Sequence, residues 1–80
     1  MSKEAKHKAL EERARRYLKA ELKRAGVTYE ELALRLNKQG FPDESKASIA
    51  SKLSRGSFSA TFMIATLKAI GRETVTLADV

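Results

Sequence analysis

Apolar residues at Leu10, Ala14, Tyr17, Leu18, Leu22 and Ala25 recur mainly in steps of three and four, the spacing of one helical stripe. A second stripe runs through Leu32, Ala33 and Leu36, a third through Ala47, Ile49, Ala50 and Leu53, and a fourth through Phe62, Met63, Ile64, Leu67 and Ile70. Gly26, Gly40, Gly56 and Gly71 fall where each stripe runs out. Glycine takes the left-handed conformation that follows a helix without steric cost, so the spacing predicts four helices, near 9–25, 29–39, 44–54 and 59–70. The expected core is Leu18, Leu22, Leu32, Leu36, Ile49, Leu53, Phe62, Leu67 and Ile70. The fourth helix is apolar on most sides, which predicts a central, buried position.

Local signals refine the boundaries. Glu4 to Lys8, Glu11 to Arg15 and Glu12 to Arg16 are i, i+4 pairs in the favourable order. Residues 1–8 are expected to fray, because nothing apolar larger than Ala5 precedes Leu10. Thr28 and Glu31 have capping-box spacing, with Val27 and Leu32 placed as a hydrophobic staple, so a helix should start at residue 29. Phe41-Pro42-Asp43 predicts a turn, with Asp43 as the next N-cap, and either Ser57 or Ser59 can cap the last helix. Thr74-Val75-Thr76-Leu77 alternates polar and apolar, which predicts an extended tail over 72–80 that pairs with a second copy through 74–77.

Composition narrows the function. Eighty residues with 42% hydrophobic and 32% charged content make one globular domain, here 9–71. No run approaches the roughly 18 apolar residues of a membrane span, and the first residues lack a secretory apolar segment, so a cytoplasmic protein without membrane contact is expected. There is no cysteine and a single histidine, His7, which predicts no metal, no cofactor and no thiol chemistry. The serines at 48, 51, 54, 57 and 59 have no histidine to serve as base, and Arg55-Gly56 lacks the glycine run and lysine of a phosphate loop. A non-catalytic protein is expected.

Net charge is +6, and it is unevenly spread. Residues 1–25 hold nine Lys/Arg against four Glu, residues 26–58 five against four, and residues 59–80 two against two. Such a front favours a polyanion. The third helix offers Lys46, Ser48, Ser51, Lys52 and Arg55, followed by Ser57, as a candidate DNA-binding face: cations neutralise phosphates, and small serines permit close approach. Arg13, Arg16, Lys19, Lys23 and Arg24 form a secondary basic face on the first helix. Base readers are sparse, so contact should rest on backbone and shape.

The run YLKAELKRAGVTYEELALRLN, a turn, then SIASKLSRGSFSATFMIATLKAIG resembles the helix-turn-helix domains of the repressor and Cro-like class. It is more closely similar to a family of short, uncharacterised bacterial domains sharing the ELKRAGVTYEELA and KLSRG-x-FSA runs. The resemblance implies an all-α fold: a four-helix, repressor-like helix-turn-helix domain with a short extended C-terminal tail. It also implies a dimeric DNA-binding protein acting as a transcriptional regulator on double-stranded DNA. One departure stands out, since the motif turn is about six or seven residues longer than the repressor pattern, whose tight turn sets the helix crossing. A second reading follows from that length, a protein-interaction module with a repressor-like fold that does not dock in the groove. A positive face centred on the third helix favours DNA; one confined to the first helix, with an apolar groove beside the turn, favours the module.

Overall fold

A computed structural model describes residues 3–80, with side chains from residue 5 onward. Among the described residues four α-helices follow one another: α1 (Lys3–Ala25), α2 (Tyr29–Lys38), α3 (Lys46–Arg55) and α4 (Ala60–Ala69). A single 3-10 turn, Leu77–Asp79, closes the chain, and no strand occurs among the described residues. The result is a small all-helical domain in which α3 and α4 each pack on both α1 and α2.

The helix boundaries follow from capping. Thr28 caps α2 by accepting a hydrogen bond from the Glu31 amide at 3.2 Å. The reciprocal half of the expected capping box is absent, because the Glu31 carboxylate turns outward to Arg35, 3.2 Å away. Asp43 is not the cap of α3. Ser45 is, and it forms a full box with Ser48, each side chain bonding the other's backbone amide. Ser59 caps α4 through the Phe62 amide at 3.0 Å, which leaves Ser57 outside the helix. All four glycines have positive φ.

The core joins Leu18 and Leu22 of α1, Leu32 and Leu36 of α2, Ile49 and Leu53 of α3, and Phe62 and Leu67 of α4, as the stripes predict. Tyr17, Val27, Ala33 and Ala65 complete it. Three expectations need correction. Ile70 lies at the rim, partly buried, where α4 ends. Leu10 is 62% exposed, because every described residue from Ala5 to Leu10 lies on a part of α1 that the other helices do not cover. Ile64 is 59% exposed, since the neighbours of α4 leave one of its sides open. Of the expected frayed segment, residues 1 and 2 lie outside the described residues, and residues 3–8 have helical backbone.

The surface ion pairs re-sort within the same stretch. Glu12 takes both Arg16, at 3.0 Å, and Arg15, while the Glu11 carboxylate lies 2.9 Å from His7 Nε2 and does not pair with Arg15. The Glu4 pair rests on a side chain outside the described residues.

The tail is not a strand. Leu77 opens the 3-10 turn and is exposed, and the segment folds back along α1. Arg13 Nε donates to the Val80 carbonyl at 2.6 Å, and Arg72 Nε lies 3.4 Å from the buried Glu21 carboxylate. Two side chains of α1 thus hold the tail, and period two gives way to local turn geometry.

Residues 39–45 form the long connection between α2 and α3, and the side chains of Asn37, Glu44, Ser48 and Lys52 organise it. Asn37 Nδ2 donates to the carbonyls of Phe41, at 2.8 Å, and Glu44, at 3.0 Å. The nearly buried Glu44 carboxylate accepts from Ser48 Oγ at 2.6 Å and pairs with Lys52. Burial pushes the Glu44 carboxyl up, but the hydrogen bonds from Lys52 and Ser48 and the Lys52 charge outweigh it and hold the group below its ordinary value. A depressed carboxyl stabilises the fold above the unfolded value, about 4.3, and that contribution is lost as pH falls through the folded value. Lys52→Met should therefore destabilise the domain near neutrality, with a gap to the parent that narrows on acidification. Urea unfolding of both proteins across pH 7 to 2 checks this; a gap independent of pH would refute the clasp.

Candidate nucleic-acid interface

α3 begins at the Ser45 cap, buries Ile49 and Leu53, and ends at Gly56. At 100° per residue the opposite side carries Ala47, Ser51, Ser54 and Arg55, all exposed. That face is small and free of carboxylates. Arg55 is its cation, and it carries no ion pair among the described residues.

The other candidates on α3 are placed differently. Lys46 is exposed in the first turn, off the Ser51 face, with Nζ 3.4 Å from Glu30 Oε1 on α2. Ser48 is half-buried and committed to the Ser45 cap and to Glu44. Lys52 is partly buried, bound to Glu44, and stacks its ammonium 4.7 Å from the Phe62 ring centre, a cation–π contact. Ser57 is exposed in the α3–α4 connection. The structure thus brings Ser51, Arg55 and Ser57 to the surface around the end of α3. It keeps Ser48 and Lys52 for the loop.

That end of α3 is seated on α1. Gly56 is buried with φ +71, and a Cβ placed there would lie 3.0 Å from the Glu11 carbonyl oxygen and 3.6 Å from Arg15 Cβ. Arg55 and Ser57 therefore flank the point where α3 meets the basic first helix.

The secondary basic face is only partly free. Arg13 holds Val80, Arg16 holds Glu12 and Arg24 holds Glu21 at 2.6 Å, whereas Lys19 and Lys23, exposed on one outward stripe, carry no ion pair among the described residues. The hydrogen bond from Arg15, with the charges of Arg15 and Arg16, holds the Glu12 carboxyl below its ordinary value, so Glu12 stays ionised within that stripe.

Sequence reasoning missed the roles of Asn37 and Glu44, and it paired Arg15 with Glu11 where the structure pairs it with Glu12. Asn37 and Glu44 flank Pro42, and a polar side chain bracketing an overlong turn is the signal that marks a loop clasp.

Among the described residues no group of three or more His, Asp or Glu side chains could hold a metal ion, and no helix is long and apolar enough to cross a membrane. No curated protein and no solved structure matches the chain. A family model does match, over residues 10–75, which is most of the helical body and includes the α2–α3 connection, the Gly56 seat and the start of the tail. The chain belongs to the family described as Domain of unknown function (DUF6471).

Proposed function

We propose that this chain is a small, non-catalytic DNA-binding domain of the repressor-like helix-turn-helix kind that serves transcriptional regulation. In this reading α2 and α3 are the motif helices, residues 39–45 are the lengthened turn, and α3 lies against the duplex. The observation that carries it is the outward face of α3: Ala47, Ser51 and Ser54 give a surface without bulk or negative charge, and Arg55 ends it unpaired beside α1. Small side chains allow the helix backbone close to the groove wall, and hydroxyls donate to phosphate oxygens. The pairing of Lys46 and Lys52 with glutamates limits how many phosphates α3 neutralises. The expected binding is therefore modest in affinity, shallow in salt dependence and tolerant of sequence.

Titration of labelled random duplex DNA at two salt concentrations, with amide shifts mapped, tests the proposal. Shifts should centre on residues 46–57. Arg55→Glu should weaken binding and reduce the slope of log K against log salt by roughly 0.9. Reversing Lys19 and Lys23 should weaken binding through long-range attraction, which salt screens within about 8 Å at physiological strength. Unchanged affinity and slope in Ser51→Glu and Arg55→Glu would overturn the reading.

A second reading, a protein-interaction module with the same fold, is supported by a different surface. An apolar hollow beside residues 39–45 is lined by Phe41, Ile64 and Ala65, while unpaired lysines gather on α1. Absence of DNA binding in the titration would move the function to that surface.

A further inference from the structure

α4 carries an exposed apolar ridge. Its inner side buries Phe62, Ala65, Thr66 and Leu67, yet Ile64 stands 59% exposed between two hollows. On one flank the hollow is walled by Leu67, Gly71 and Val75; on the other it is walled by Phe41 and Ala65. A projecting aliphatic side chain with an apolar recess on either side has the shape of a knob next to the hole that would receive it.

The charges on the rim identify the occupant. Lys68 and Glu73 line the first hollow with Ile64, both are exposed, and neither makes an ion pair among the described residues. Arg72, between them and Val75 in the lining, is turned to Glu21 and does not compete for Glu73. In a two-fold interface every contact occurs twice, with residue i on one copy meeting residue j on the other and the reverse. A surface on which Lys68 and Glu73, both without an ion pair among the described residues, stand around an apolar knob is therefore complementary to itself. A uniformly acidic or basic partner would set one of the two against a like charge.

We propose that the Ile64 ridge is the two-fold interface of a homodimer, with Ile64 of each copy entering the partner's Leu67–Val75 hollow and Lys68 facing the partner's Glu73. Val75 contributes a side chain to this contact, not a paired strand. The inference does not depend on DNA binding, and its test contains no DNA, so either can fail alone.

Sedimentation equilibrium from about 10 µM to 1 mM reads the outcome. The full chain should pass from monomer to dimer mass over this range. Ile64→Asp should stay monomeric with an unchanged helical spectrum, because the residue it replaces is mostly exposed. Lys68→Glu and Glu73→Lys should each weaken association roughly tenfold, and the double variant carrying both should regain most of it. Hydrophobic stickiness alone would not produce that rescue. The proposal is overturned by a monomer at every concentration, by dimerisation that Ile64→Asp leaves intact, or by a double reversal no tighter than the singles.

Discussion

Leu36→Ala should remove about 2–5 kcal/mol of stability, a large part of the roughly 5–15 kcal/mol that holds a small domain together. Leu36 is fully buried on α2, and α3 and α4 both pack on α2 as well as on α1, so the cavity would open where three helices meet. There is little room for relaxation, because α2 is tied down at two further points: Arg35 Nη1 donates to the Ala69 carbonyl at 2.9 Å, and Asn37 grips the following loop. Leu34→Ala supplies the control. It makes the same chemical change in the same helix at a residue 58% exposed, and should cost no more than about 0.5 kcal/mol. Urea unfolding of the pair checks the assignment, and similar losses from both would show that Leu36 does not sit in the core. Leu67→Ala on α4 should approach the Leu36 value, since Leu67 is also buried.

The second large effect is expected at Gly56. Any side chain there meets two obstacles that act independently. With φ +71 the left-handed backbone costs an L residue roughly 1–2 kcal/mol. A Cβ would also press on the Glu11 carbonyl oxygen at 3.0 Å, and because that atom is helix backbone it cannot swing aside. Gly26 separates the two contributions. It has nearly the same φ, +70, and nothing within 4 Å of a built Cβ, so Gly26→Ala should show the conformational cost alone. Gly56→Ala should cost clearly more, and its excess should be accompanied by amide shifts in residues 8–15 of α1. Equal losses for the two alanine variants would mean that α3 is not seated on α1. The same experiment bears on function, because moving this seat displaces Arg55 relative to the basic helix.

How far each feature was legible depends on how local its cause is. The helices and most of the core were legible because a helix has a fixed period, so residues such as Leu18, Leu22, Leu32 and Leu36 declare a shared face before any neighbour is known. The four stops were legible because glycine takes their left-handed backbone without steric cost. The cap of α3 was misplaced by two residues because Asp43 and Ser45 are both able caps, and the choice fell to the Ser45–Ser48 box. The tail was misread for a similar reason. Alternation is only a preference, and contacts with Arg13 and Glu21, remote in sequence, selected a turn.

The candidate site divides along the same line. Sequence placed Lys46, Ser48, Ser51, Lys52 and Arg55 on one short helix, but helix periodicity cannot say which carboxylates of other elements come near. Glu30 and Glu44 took two of the cations, leaving Arg55 free. The buried Glu21 carboxylate and the fully buried Thr66 hydroxyl were equally out of reach, because polar residues enter a core only where neighbours close over them. By itself, then, the sequence determined the helix count, the stops, the apolar faces and the basic front, since each arises from residues within one or two turns of one another. Tertiary structure alone decided which cations are spent on internal carboxylates, that Gly56 is a contact as well as a stop, and that Ile64 faces outward, because these depend on atoms brought together from distant parts of the chain.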